Sequence, residues 1–120
     1  MTMQYKTRPA LVALVQDLKK RSWEHEAPIW RDIASRLEKP TRRHAAINVS
    51  RIDRYTNAGE TALVPGKVLA AGELTKKVDV AALAFSEGAR TKIENAGGKC
   101  WTVAELADAN PKGKNVRILG

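Results

Sequence analysis

The sequence predicts an α/β fold in which an N-terminal helical hairpin precedes a mixed region of short strands and helices. Apolar residues recur at helical spacing in the first third of the chain, and apolar or β-branched runs bounded by turn residues follow from Thr61 onward. The 120 residues, 43% hydrophobic and 28% charged, are typical of one globular domain. We therefore expect a basic arm at 1–8 and a single domain at 9–120, with the hairpin at about 9–39 and the mixed α/β core at about 45–119.

Two apolar stripes predict the hairpin. Each stripe has the i, i+3, i+4, i+7 spacing of one helix face: Leu11, Leu14, Val15 and Leu18, then Trp30, Ile33, Ala34 and Leu37. Pro9 and Pro28 suit the first turns of these helices. The basic run 19–21 favours the end of the first helix, because cations interact well with the negative end of the helix dipole. Pro40 ends the second.

The strands are predicted from short β-branched or apolar runs. We expect a short bulged strand through Ile47, Val49 and Ile52, followed by a polar loop through 53–55. Pro65-Gly66 indicates a bulge or kink inside a longer strand. This longer strand is predicted at 61–71, and three more strands are predicted at 78–85, 99–102 and 116–119.

Two further helices have recognisable starts. Ser86 is a good N-cap for a helix at about 87–96, which Gly97 and Gly98 end. Thr102 and Glu105 have the spacing of a capping box, and Trp101 and Leu106 flank it as a hydrophobic staple. Asn110-Pro111 stops this last helix.

The net charge of +8 indicates a polyanionic partner: nucleic acid, an acidic membrane surface or an acidic protein. The six aromatic residues are few for stacking a run of unpaired bases. One cysteine excludes an internal disulfide and a cysteine-based zinc site, and no apolar run is long enough to span a bilayer. We expect a cytosolic protein without metal, cofactor, membrane contact or small-molecule substrate.

The positive charge is concentrated between residues 39 and 54, where five cations face one acid, Asp53. Arginine offers several planar donors to phosphate oxygens, and His44 can add a further hydrogen bond. The alternative is a solvated loop that is basic by chance. The basic side chains of this window are Lys39, Arg42, Arg43, Arg51 and Arg54.

Other cations are weaker candidates for phosphate contact. The run 19–21 is explained as well by the helix dipole, and the pair 76–77 by protection of a strand edge. Pro65-Gly66-Lys67 lacks the spacing of a P-loop, although it can offer backbone N–H groups and one ammonium. The full set of these candidates is Lys6, Arg8, Lys19, Lys20, Arg21, Lys67, Lys76, Lys77, Lys112 and Lys114.

An enzyme is a less favoured interpretation. Cys100 lies in an apolar stretch beside Trp101, where a small core residue is the usual role. The acidic and imidazole groups at 24–26 fit a solvated turn. We assign no catalytic residue, and we expect all three tryptophans to pack, with Trp23 at a helix end.

Six collinear stretches of the sequence are distinctive: LEKP (37–40), RRHA (42–45), NVSRI (48–52), VPGKVLAAGELTKKVDVAALAFS (64–86), KIENAGGK (92–99) and NPKGKNVRIL (110–119). They resemble the archaeal members of the large-ribosomal-subunit protein eighteen-e family, a relative of bacterial large-subunit protein fifteen. The similarity covers about residues 7–119. GELTKK (72–77) and AGGK (96–99) are shared by both branches.

The resemblance implies a non-enzymatic structural constituent of the large ribosomal subunit, active in translation in the cytoplasm. It implies an irregular superhelix of β-β-α turns after the hairpin. Its expected partners are large-subunit ribosomal RNA, bound as folded RNA through basic loops, and neighbouring large-subunit proteins. The family's basic motif maps onto Lys39, Arg42, Arg43, His44, Arg51 and Arg54.

Two other hypotheses stay open. One is a non-ribosomal nucleic-acid-binding regulator, and the other is a small enzyme using Cys100. A helix-turn-helix regulator needs a recognition helix that carries base-reading side chains, and the predicted basic residues lie mainly in loops.

Overall fold

The computed structural model describes residues 2–3, 8–39 and 44–119. Within these ranges the chain forms one six-stranded sheet and five helices. The helices are α1 (Arg8–His25), α2 (Pro28–Leu37), α3 (Val49–Tyr55), α4 (Glu87–Asn95) and α5 (Val103–Ala109). The strands are β1 (Thr2–Met3), β2 (Ala45–Asn48), β3 (Thr61–Leu69), β4 (Asp79–Phe85), β5 (Cys100–Trp101) and β6 (Val116–Ile118). The α/β class and the N-terminal hairpin are confirmed.

The sheet is built on a central parallel pair, β3 and β4. The outer edge of β3 pairs with β6 along its first residues and with β2 along its last, both in parallel. The outer edge of β4 pairs with β5 in parallel and with β1 in the antiparallel direction. A register shift between Val64 and Lys67 confirms the irregularity predicted at Pro65-Gly66.

Two apolar cores lie on opposite faces of the sheet, so the protein has three layers. On one face α1, α2 and α5 pack against the strands, with Trp30 and Leu18 fully buried. On the other face α3 and α4 pack against the strands, with Ile52 and Ile93 fully buried. The two faces separate because neighbouring side chains of a strand point to opposite sides of the sheet.

Local sequence determinants account for several element starts. The hydroxyl of Ser86 accepts the N–H of Ala89 at 3.1 Å, so this N-cap is confirmed. Thr102 and Glu105 form the predicted capping box. Gly97 ends α4 with φ +93°, a backbone conformation that glycine adopts without steric cost.

Helix α1 is longer than the sequence predicted. The basic run 19–21 lies inside it, and the helix continues to His25, where Glu26 has a φ of +50°. Ion pairs with neighbouring carboxylates hold these cations on the helix surface, so they do not mark its end. The predicted packing of Trp23 is also wrong, because this side chain is 84% exposed.

Helix α3 replaces the second half of a predicted strand. Only Ala45–Asn48 is extended, and the residues expected as strand and polar loop form the helix Val49–Tyr55. Val49 and Ile52 fit a helix as well as a bulged strand, because their i, i+3 spacing places both on one buried helix face. The helix ends at Thr56, whose N–H and hydroxyl both donate to the carbonyl of Ile52.

The predicted N-terminal arm was expected to become ordered only against a partner. Two of its described residues pair with β4, Thr2 with Phe85 and Met3 with Ala84. Its last residue, Arg8, begins α1.

The segment 70–77 is docked on α3 by polar contacts. The carboxylate of Asp53 accepts both the N–H and the hydroxyl of Thr75 at 2.9 Å. The ammonium of Lys76 donates to the carbonyls of Asp53 and Thr56, at 2.6 and 2.9 Å. At the other end of the helix, Ala71 exchanges hydrogen bonds with the Asn48 side chain and the Ser50 N–H. Both ends of α3 are therefore fixed.

Gly66 lets β2 pair closely with β3. It is paired with Ala45, and a Cβ at this glycine would collide with the carbonyl oxygen of Ala45. The obstacle is backbone, so it cannot move aside as a flexible side chain would.

Gly66→Ala is expected to destabilise the protein by about 1–3 kcal/mol or more, the usual range for overpacking. Denaturant unfolding measures this loss. Lys67→Ala, an exposed change at the next position, is the control and should alter stability by less than about 0.5 kcal/mol. Equal stability of the two variants would show that β2 does not approach β3 this closely.

Asp53→Asn is expected to lower the melting temperature at neutral pH. Hydrogen bonds from the backbone and hydroxyl of Thr75 lower the pKa of Asp53 below its ordinary 3.8. A lowered folded-state pKa gives stability that is present above the unfolded-state value and lost as the pH falls through the folded-state value. The difference between wild type and variant should therefore shrink as the pH falls below about 4.

Glu73→Gln, an exposed change in the same docked segment, is the matched control and should leave the melting temperature unchanged. A difference between Asp53→Asn and wild type that stays constant down to low pH would contradict the charge-dependent docking.

Candidate nucleic-acid interface

Helix α3 presents two arginines to solvent. Arg51 and Arg54 are exposed, and their i, i+3 spacing places them on the same helix face. The guanidinium of Arg51 lies 5.7 Å from the ring centroid of Tyr55, which is 50% exposed. Together with Ser50 these residues line a shallow depression. The arginines therefore lie on a helix and not in a loop, which corrects the sequence analysis.

The only carboxylate of α3 does not neutralise these arginines. Asp53 is partly buried and accepts two hydrogen bonds from Thr75 on the docked segment. Among the described residues, neither Arg51 nor Arg54 forms an ion pair. The docking of segment 70–77 thus leaves the positive charge of α3 free for a partner.

Further cations lie on the segments next to β2, which pairs only with β3 among the described residues and so forms an edge there. Lys39 and Lys67 are exposed, and Lys67 is in register with Ala46 of β2. The Nε2 of His44 lies 3.1 Å from the carbonyl oxygen of Leu37 and 3.0 Å from that of Lys39. We call the group on these segments the β2-edge surface: Lys39, His44, Arg51, Arg54 and Lys67.

Four predicted residues have no described side chain. Lys6, Arg42 and Arg43 lie outside the described residues, and only the backbone of Arg8 is described. In the sequence, residues 40–43 stand between Lys39 and His44.

The sequence suggests that Pro65-Gly66-Lys67 can offer backbone N–H groups to a phosphate, but the structure leaves little access to the first two residues. Both residues are buried within β3, and Gly66 pairs with Ala45 of β2. Lys67 therefore contributes only its exposed ammonium.

Three predicted cations of α1 are paired with acids of the same chain. Lys19 contacts Glu38 at 3.0 Å, and Lys20 contacts Glu24 at 3.7 Å. Arg21 bridges two carboxylates, Asp17 at 2.7 Å and Asp108 at 2.5 Å. These pairs balance the positive charge locally, and the Arg21 bridge joins α1 to α5.

Lysine ammonium groups also hold the docked segment. Lys76 donates to two carbonyls and is partly buried, whereas its predicted companion Lys77 is exposed. Lys92, which sequence reasoning missed, donates to the carbonyls of Ala70 and Gly72 at 2.7 and 2.6 Å. Nothing in the sequence pattern marks Lys92, because its acceptors are backbone atoms some 20 residues away.

Lys112 and Lys114 lie at the other end of α2, near the hairpin turn. The indole N–H of Trp30 donates to the carbonyl of Pro111 at 2.7 Å, which fixes their loop on the hairpin. Lys112 donates to the carbonyl of His25 at 3.2 Å, and Lys114 is exposed. These two cations are therefore apart from the β2-edge surface.

Cys100 is a poor nucleophile in this environment. Its side chain is partly buried, and burial raises the pKa of the thiol to about 11. The reactive thiolate is therefore scarce at neutral pH. In the described ranges no group of three or more His, Cys, Asp or Glu side chains is placed to hold a metal ion, and no helix has the length and apolarity to cross a membrane.

Comparison with known proteins connects this geometry to a family. A family model described as "Ribosomal protein 60S L18 and 50S L18e" matches residues 4–120. A protein named large ribosomal subunit protein eL18 from Methanothermobacter thermautotrophicus is 50% identical over 114 residues, which cover 95% of this chain and 94% of the relative.

Proteins of the same name from other archaea have a similar sequence identity to this chain. The one from Methanosphaerula palustris is 55% identical, again over 95% of this chain and 94% of its own length. The one from Archaeoglobus fulgidus is 49% identical over 95% of this chain and 97% of its own length. The match extends over nearly all of the hairpin, the sheet and the β2-edge surface, and this chain belongs to the ribosomal protein family of 60S L18 and 50S L18e.

Proposed function

We propose that this protein is a structural constituent of the large ribosomal subunit that binds folded ribosomal RNA through the β2-edge surface. Its relatives carry the name of a large-subunit protein, and the chain has a net charge of +8. Its role is to support translation on the ribosome in the cytoplasm, without catalysis. Its other partners are neighbouring large-subunit proteins.

One observation carries the placement of the RNA. Four exposed cations lie on segments next to the edge strand β2, namely the end of α2, helix α3 and strand β3, and form no ion pair with any described residue, whereas the cations of α1 are paired with acids. Unpaired cations on an ordered surface can neutralise phosphates without first breaking an internal bond. The four are Lys39, Arg51, Arg54 and Lys67.

The arrangement suits folded RNA better than a single strand. The four cations come from three separate segments of the chain, so they can contact several backbone segments at once. Paired RNA is recognised mainly by its shape, phosphates and ribose hydroxyls, because its major groove is closed to side chains. Arg42 and Arg43 belong to this proposal by their position between Lys39 and His44.

A helix-turn-helix regulator fits less well, although Arg51 and Arg54 do lie on a helix. Helix α3 has seven residues and follows strand β2 directly, so no preceding helix positions it for a groove.

The double variant Arg51→Ala and Arg54→Ala should weaken binding to a structured large-subunit ribosomal RNA fragment. Each lost phosphate contact should reduce the slope of log affinity against log salt by about 1. Both side chains are exposed, so the melting temperature should stay nearly constant. Filter binding across a salt series measures the slope.

The matched control removes the same charge from two ion-paired positions, Lys20→Ala and Arg117→Ala. Its binding should be reduced much less than that of the Arg51 and Arg54 variant. If both double variants lost affinity equally, binding would follow net charge and the β2-edge surface would have no special role.

A further inference from the structure

Trp23 is an exposed aromatic that neither core explains. It lies in the last turn of α1 with 84% of its surface exposed, whereas Trp30 is fully buried and Trp101 packs partly against the core. Among the described residues, the other exposed large hydrophobic side chains are Val12 and Tyr55, and their exposed fractions are only 44% and 50%. Trp23 is therefore the most exposed large apolar group in the described part of the chain.

A depression of about 550 Å³ lies beside this indole, between the end of α1 and the start of α2. Lys19 and Arg31 bring two cations to its wall, and Ser22 and Glu26 complete it. Lys19 is also paired with Glu38, whereas Arg31 is exposed at the first turn of α2.

These groups match the parts of one nucleotide. An exposed indole offers a flat surface on which any base can stack. The guanidinium of Arg31 beside it offers donors for a phosphate. A protein partner fits less well, because lysine, serine and glutamate are depleted at protein interfaces and these types supply three of the five lining residues.

The depression is separate from the β2-edge surface. Arg31 lies in the first turn of α2 and Lys39 follows its last turn. The eight residue steps between them correspond to about 12 Å along the helix axis. A nucleotide at Trp23 would therefore belong to a different part of the bound RNA from the part at Arg51 and Arg54.

We propose that Trp23 stacks on a single unpaired base of the RNA, with Arg31 contacting its phosphate. This site rests on the proposed RNA-binding function and adds a second contact to it. One exposed indole suits one extruded base and not a run of them, which agrees with the low aromatic content of the chain.

The test uses two RNA stems of the same length, one fully paired and one with a single bulged adenosine. The wild-type protein should bind the bulged stem about fivefold more tightly or better, the lower end of what one base–aromatic stack contributes. Its tryptophan fluorescence should be quenched by the bulged stem only. Trp23→Ala should remove the preference without weakening binding to the paired stem.

Two variants separate stacking from other effects. Trp23→Phe should keep part of the preference and lose the quenching, because phenylalanine stacks but has no indole emission. Val12→Ala, at another exposed apolar position of α1, should keep both. The variant with Arg51→Ala and Arg54→Ala should weaken both stems equally and leave the preference intact.

Outcomes for the two proposals differ. If Trp23→Ala kept the preference for the bulged stem, stacking at Trp23 would be refuted, whatever the arginine variant did. If the Trp23→Ala protein were absent from purified large subunits but still preferred the bulged stem, stacking at Trp23 would also be refuted. This side chain would then be assigned to a protein partner. If the arginine variant bound both stems as wild type does, the β2-edge proposal would fail while the Trp23 proposal could still hold.

Discussion

The contact between α3 and the segment 70–77 is the constraint on which the candidate RNA surface depends. Asp53 accepts two hydrogen bonds from Thr75, and Lys76 donates to two carbonyls at the end of the helix. These bonds hold a helix of only seven residues, which would be marginal alone. They also occupy the one carboxylate of α3, so the charges of Arg51 and Arg54 stay available to a partner.

The sheet supplies the frame for this contact. The segment 70–77 leaves the end of β3, and α3 leaves the end of β2, which pairs in parallel with β3. Gly66 permits that pairing because a side chain there would meet the backbone of Ala45. Two neighbouring parallel strands therefore deliver both parts to the same end of the sheet, where a short helix and a loop can join by a few polar bonds.

Local sequence signals predicted the structural features that are set by residues close together along the chain. The caps at Ser86 and Thr102 and the hairpin stripes were readable because their partners lie within one or two turns. Helix α3 was not readable, since Val49 and Ile52 fit two periodicities and the deciding contacts come from residues some 20 positions away. The sequence likewise identified the cations but not which of them are paired internally, such as Arg21, or why Trp23 stays exposed.

The most direct test of RNA recognition by shape compares two ligands at physiological salt. The equilibrium dissociation constant is measured for a structured large-subunit ribosomal RNA fragment and for a single-stranded oligomer of the same length. Because cations lie on separate segments next to the edge strand β2, the structured fragment should bind tightly and the single strand only weakly and with strong salt sensitivity. Equal dissociation constants, or a preference for the single strand, would contradict recognition of folded RNA by this surface.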